Sequence, residues 1–280
     1  MQEYAPEIFE AYIPSKSGIK KAIKKGRILA NDKVAETGTW VYEGQVLKLI
    51  ENVSKLPKIY EFKLDIVYED NFCAVIIKPA GISVSGNKFK TIVNALPFNL
   101  QKSEELDALE TPTPVHRLDN QTSGLLLIAK TKTAQIELGK QFESNTIQKK
   151  YCTIVTGKVH QNRTITTPIN TKNAETKFEI IKVVKSLKFK ELSCLQVYPK
   201  TGRTHQIRIH LASIGHPILG DKLYGSPQQN ASGKGLFLCA SQLKFLHPKT
   251  FEARTVSIEV PHKFNALLNR EKRRWNTFHI

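Results

Sequence analysis

HRLDNQTSGLLLIAK, residues 116–130, joins three ionisable side chains to an unbroken apolar run. His116, Arg117 and Asp119 precede a glycine, and Leu125–Ala129 carry no polar group. The run predicts a buried strand over 124–130. A core strand gains nothing from charges at its mouth, because taking a charge out of water is costly unless a partner is supplied. The pattern therefore points to a reacting group held at the edge of a core. Asp119 is expected in a polar loop that Thr122 and Ser123 hold by side-chain bonds to the backbone. Burial disfavours the charged form of a carboxylate, so an ionised Asp119 needs a cation nearby. Arg117 is one candidate, and Arg203, at the start of a predicted helix in KTGRTHQIRIH, is the other. Arginine suits this better than lysine, since its charge is permanent and its fork fixes a carboxylate. Spacing alone leaves a structural salt bridge at Asp119 equally open.

Outward from this stretch, Val75–Ile77 reads as a short buried strand and Lys78-Pro79-Ala80-Gly81 as the turn out of it. QKSEELDALETPTP is acidic, then Pro-rich, and reads as a surface loop. Ala134, Leu138 and Phe142 make a helical stripe. KKYCTIVTG (149–157), AETKFEI and LSCLQVYP read as strands. THQIRIHLASIG reads as a helix capped by Thr204, with Ile207, His210, Leu211 and Ile214 on one face. Strands dominate without regular βαβ alternation, which predicts an α+β domain with a mixed, largely antiparallel sheet.

A small α/β module precedes it. Ser17 is expected to cap a helix with Ile19, Ala22 and Ile23 on its apolar side and Gly26 at its end. Short strands follow, broken at Asn31-Asp32 and Glu43-Gly44. Residues 51–62 have linker composition. The boundaries we assign are 1–55 for the module, 56–62 for the linker and 63–280 for the large domain.

The net charge is +17 and the sequence pI about 9.7, which implies a polyanionic partner, most simply nucleic acid. Between Ile13 and Val34 seven Lys or Arg face one Asp. Lys20, Lys21, Lys24 and Lys25 fall off the apolar stripe, without the interleaved Glu of an ordinary solvated face. No apolar run is long enough for a membrane helix, and the start lacks the pattern of a secretory signal. Four scattered cysteines without a CxxC pair argue against a thiolate zinc site and fit a reduced cytoplasmic protein. The kinase catalytic loop has its Asp directly after Arg, unlike 116–119, and no Gly-rich phosphate loop lies upstream. GxSxG, Walker and HExxH patterns are absent. His205, His210 and His216 are therefore expected to be packed or RNA-facing rather than metal ligands.

HRLDNQTSGLLLIAK resembles the signature HRLDxxTSGLLLxAK of the RluA-type pseudouridine synthases. The resemblance runs from about Leu64 to Pro261. It includes KPAG (78–81), KKYCTIVTG, AETKFEI, TGRTHQIRIHLASIGHPILGDKLYG (201–225), LFLCAS and LHPKT. Residues 13–50 resemble the small RNA-binding module of the ribosomal-protein S-four type. The resemblance implies isomerisation of uridine in ribosomal or transfer RNA by a cytoplasmic monomer, without cofactor or metal. It implies that Asp119 is the catalytic aspartate, Tyr151 the tyrosine against the target base, engaged in proton removal from C5, and Arg203 the arginine paired with Asp119. It implies further that Arg117 keeps the flipped nucleotide out of its helix. His116, His205 and Arg208 join Arg117 as expected RNA-contacting groups, and Lys20, Lys21, Lys24, Lys25 and Arg27 as those of the N-terminal module. Three departures stand out: Leu238-Cys239-Ala240 where the family has Leu-His-Ala, Ser83–Asn87 where it commonly has His-Pro, and Asn31-Asp32 for an Asn-Gly turn. Two other readings remain: a catalytically idle RNA-binding or ribosome-assembly protein on this fold, and a nucleoside glycosidase that would release free uracil.

Overall fold

The computed structural model describes residues 8–9, 13, 15–50, 59–225 and 234–278. The chain forms two compact units, Met1–Pro57 and Lys58–Ile280. In the first, helix α1 (Lys16–Lys24) precedes strands β1 (Ile28–Ala30), β2 (Lys33–Val34) and β3 (Leu47–Leu49), in the antiparallel order β2-β1-β3. The cap of α1 is Ser15, whose side chain accepts from Gly18 N, and not Ser17. Ile19, Ala22 and Ile23 are buried against Ile28, as their spacing predicts. Asn31 and Asp32 both adopt positive φ, the paired left-handed conformation of a tight hairpin turn.

In the second unit β4 (Asp65–Glu69), β5 (Cys73–Lys78), α2 (Ile92–Asn99), β6 (Ala108–Pro114), β7 (Ser123–Thr131), α3 (Lys132–Glu143), β8 (Gln148–Thr156) and β9 (Arg163–Ile165) come first. They are followed by β10 (Thr176–Ser186), β11 (Lys190–Pro199), α4 (Gln206–Ser213), β12 (Leu238–Leu246), β13 (Ala253–Ser257) and α5 (Lys263–Phe278). One sheet runs β4-β5-β7-β12-β8-β11-β10-β9, with β6 on β7 and β13 on β12. Every pairing is antiparallel except the short parallel contact of β12 with β7. The unit is thus α+β with a mixed, mostly antiparallel sheet.

The unbroken apolar run has a physical reason. Leu126 and Ile128 point into one core with Ala74 and Ile76. Leu125 and Leu127 point into a second core with Cys73 and Val75. A strand covered on both faces cannot alternate with polar residues. Each fully buried leucine contributes roughly 1.5–3 kcal/mol of apolar burial.

Two expectations change here. The acidic, Pro-rich stretch is not only a loop, because its second half is β6, which pairs with β7 through a shifted register. Of the expected linker, residues 51–58 lie outside the described residues. Tyr60 and Phe62 instead pack against the core of the second unit, their rings stacked at 5.4 Å. Among the described residues no helix is long and apolar enough to cross a membrane.

Candidate active site

At Gly124 β7 runs against β12, with Ala240 as its partner. Its φ is +114°, and a Cβ there would collide with the backbone oxygen and nitrogen of Ala240. Only glycine permits that approach. Upstream of the contact the chain forms a loop, closed by a bond from Thr122 N to Asp119 O at 3.0 Å. The backbone of Thr122, not its hydroxyl, thus holds the loop. The hydroxyl is buried and lacks a hydrogen-bond partner among the described residues.

Lys78, at the end of β5, grips the same loop. It is fully buried, and its Nζ donates to Pro79 O and Ile82 O, both at 2.8 Å, and to Asn120 O at 3.1 Å. Asn120 also donates to Gly81 O at 3.2 Å and Ser83 Oγ at 3.0 Å. Ser83, in a segment that departs from the family pattern, therefore braces the Asp119 loop. Burial pulls the Lys78 amine down to about 8, against the opposing charge of Asp119.

Asp119, whose side chain is 17% exposed, lines a cavity of about 440 Å³. Tyr151, Lys149, Arg203, His205 and Arg208 share that lining. The nearest cation is Arg208, whose NH1 lies 3.5 Å from Asp119 Oδ2. His205 Nε2 lies 3.8 Å from Oδ1. Arg208 is fixed from behind by Asp221, whose side chain is fully buried. Arg208 Nε donates to Asp221 Oδ2 at 2.7 Å and its NH2 to Oδ1 at 2.8 Å, a bidentate fork. Backbone N–H groups of Leu223 and Tyr224 also donate to Asp221 Oδ1. The Tyr224 ring lies 5.1 Å from the guanidinium, and its hydroxyl meets His205 Nδ1 at 2.9 Å. Burial works against the Arg208 charge, but the bonds and charges of Asp221 and Asp119 outweigh it and raise its pKa. Burial likewise opposes ionisation of Asp221, and the Arg208 fork and backbone donors override it and lower its pKa.

These contacts correct the expected partner of Asp119. Arg203 does not pair with it. Arg203 is exposed, and its Nε donates to Asn173 O at 3.0 Å while its backbone N–H donates to Gln206 Oε1 at 3.0 Å. The cause is where α4 begins. Its cap is His205 at φ 55°, with no side-chain cap bond, so Thr204 is not the cap. His205 and Arg208, three positions apart on one helical face, turn toward Asp119. Arg208, expected to face RNA, is instead almost wholly enclosed between two carboxylates.

His116 is half-buried and also lines the cavity. Its Nε2 accepts from Leu127 N at 3.0 Å, its ring stacks on Phe142 at 4.6 Å, and burial pushes its pKa down to about 3. It anchors the loop to β7 as a neutral ring. Arg117 is exposed on the cavity lining and forms no ion pair among the described residues. Tyr151 is buried on β8, and burial first, the Asp119 charge second, push its phenol upward. Lys149 reaches the cavity from the same strand, with its amine pulled down to about 8 by burial. In the first unit Lys20, Lys21, Lys24 and Lys25 are exposed, whereas Arg27 is half-buried and donates to Ile50 O at 3.1 Å. His210 bonds to Thr176 Oγ1 and Thr167 O, and His216 to Thr156 O, so neither joins His205.

Asp70, Cys73 and His247 gather where β5 begins. There His247 Nε2 meets Asp70 at 2.8 Å while Nδ1 accepts from the backbone of Lys249 and Thr250. Both ring nitrogens are thereby committed, and the group reads as a lock on strand ends.

A family profile described as RNA pseudouridylate synthase matches residues 73–213. An uncharacterized RNA pseudouridine synthase of Aquifex aeolicus is 35% identical over 90% of this chain and 88% of its own length. A ribosomal large subunit pseudouridine synthase D of Neisseria meningitidis is 34% identical over 88% of this chain and 72% of its own. Human RNA pseudouridylate synthase domain containing 1 is 23% identical with a TM-score of 0.58, covering 70% of this chain and 83% of that one, a likeness of fold. With most of its length shared with such relatives, and both long motifs folded around one cavity, the chain belongs to the RNA pseudouridylate synthases, in the RluA-type branch.

Proposed function

We propose that this enzyme converts specific uridines of large-subunit ribosomal RNA to pseudouridine, with Asp119 as the reacting carboxylate. One observation carries this reading: Asp119 faces a nucleotide-sized cavity with a permanently charged guanidinium 3.5 Å behind it. The names of the relatives favour ribosomal over transfer RNA. In the reaction the C1′–N1 bond breaks, the uracil turns, and a C5–C1′ bond forms. C5 loses a proton and N1 gains one, so atoms balance without a cofactor. Asp119 acts either by attack on the sugar or the ring carbon, or by removing a sugar proton to start elimination.

A uridine in a stem must first leave its stack, at a cost of a few kcal/mol. Tyr151 offsets part of this by stacking, at roughly 1–3 kcal/mol per base. With its phenol pushed upward, Tyr151 keeps its proton and faces the base as a neutral ring. Arg117, exposed beside the cavity, holds the displaced strand. Arg203 contributes a phosphate contact at the cavity's edge, and His205 lies close enough to Asp119 to act with it. The exposed lysines of α1 give the small module, S-four-like in sequence, an RNA-facing side. The four cysteines among the described residues are free thiols, which fit the cytoplasm.

A pseudouridine map of total RNA, with and without the gene, tests the proposal. Loss of one or a few sites in large-subunit RNA supports it. An unchanged map would favour the idle RNA-binding reading.

A further inference from the structure

A positive surface of the second unit lies away from its cavity. Helix α5 packs on β10 through Phe264, Leu267, Leu268 and Glu271, the i, i+3, i+4, i+7 face. Glu271 accepts from Ser186 Oγ at 2.6 Å and from Arg270 NH2 at 2.8 Å, so this buried acid is used up inside. The next three residues, Lys272, Arg273 and Arg274, are exposed and form no ion pair among the described residues. Ser186, which holds Glu271, begins the turn from β10 to β11. Lys185, Lys188 and Lys190 stand exposed around that turn. Lys185 links the two elements, with its Nζ 5.8 Å from the Trp275 ring and 2.9 Å from Glu191. Seven cations, Arg270 included, thus meet two acids, Glu191 and Glu271, both already engaged.

The last turn of α5 holds no basic residue, so the helix dipole does not account for Lys272 to Arg274. Nor does it account for three lysines on the neighbouring hairpin, whose like charges repel those of the helix. We infer that α5 and the β10–β11 turn form a second docking surface for RNA phosphates, separate from the cavity. The inference rests on the RNA reading above. β11 runs ten residues from Lys190 to Pro199, and Pro199 lines the cavity. At about 3.3 Å per residue the patch therefore lies about 30 Å from the reacting uridine. Only an RNA that extends well beyond its target loop reaches both. Helix α5 lies outside the residues matched by the family profile, and the β10–β11 turn lies within them.

The test compares the full chain with its Lys272→Gln/Arg273→Gln/Arg274→Gln variant, by equilibrium binding over a range of salt. One RNA is a large-subunit fragment spanning the target region, and the other a stem-loop too short to span 30 Å. For the fragment the variant binds about ten-fold more weakly, and its log K against log salt is shallower by about 2–3, because three phosphate contacts are lost. Affinity for the stem-loop and its turnover are unchanged. Equal slope and affinity on the fragment, or equal losses on both RNAs, overturn the inference. Binding decides this whether or not pseudouridine forms, so a wild-type chain that binds both RNAs but modifies neither counts against the proposed activity alone.

Discussion

Replacing Arg208 by glutamine separates what it does for the fold from what it does for Asp119. At 3.5 Å and an effective dielectric constant of about 20, a guanidinium and a carboxylate interact by about 5 kcal/mol. Partial exposure of Asp119 screens this to about 3 kcal/mol. At 1.36 kcal/mol per decade, Arg208→Gln then slows pseudouridine formation by about 10²- to 10³-fold. The same change leaves Asp221, fully enclosed, without its fork, which costs about 3–5 kcal/mol of stability. The double variant Arg208→Gln/Asp221→Asn removes the orphaned charge and recovers most of that stability while staying slow. Arg203→Gln, at an exposed site worth ~0–1 kcal/mol, stays within about five-fold of wild type. The assay is tritium release from RNA carrying [5-³H]uridine, under saturating and sub-saturating RNA, alongside urea unfolding. A double variant with near-normal turnover, or an Arg203→Gln loss as large as that of Arg208→Gln, would refute the assignment of Arg208.

Two further outcomes follow from the loop supports. Gly124→Ala places a methyl group against the Ala240 backbone at positive φ, and it destabilises the enzyme by about 4 kcal/mol or more in urea unfolding. Lys78 releases its proton near pH 8 in the folded enzyme but near 10.5 in the unfolded chain. Across that window the unfolded state binds more protons, so stability rises with pH. Relative to Lys78→Met, wild type gains about 3 kcal/mol between pH 8 and 10.5 in paired unfolding curves, and a flat difference would count against a buried Lys78.

The strands were legible because burial leaves a periodic trace. Leu125–Ala129 and Val75–Ile77 are apolar in sequence and central in the sheet. The stripes of α1 and α3 were legible for the same reason. β6 was not, because Pro112 and Pro114 in ALETPTP signal a loop; it tolerates them as an edge strand paired on one side only. Asp119, Tyr151 and Arg117 could be named from motifs and do share one cavity. The choice between Arg203 and Arg208 could not be made from spacing. It turns on the left-handed backbone of His205, which shifts the start of α4 past a false cap signal at Thr204. Asp221 and Lys78 went unassigned although their segments were recognised. Their work is to hold other side chains and loops, through contacts across 13 and 42 positions that no local pattern records.

Asp119→Asn removes one negative charge and almost no volume. Purified wild-type and variant protein, each incubated with unmodified large-subunit RNA, can be compared for bound RNA and for pseudouridine by mass spectrometry of the nucleosides. Equal binding, with pseudouridine formed by the wild type alone, is the predicted result. Pseudouridine formed by the variant at the wild-type rate would contradict it.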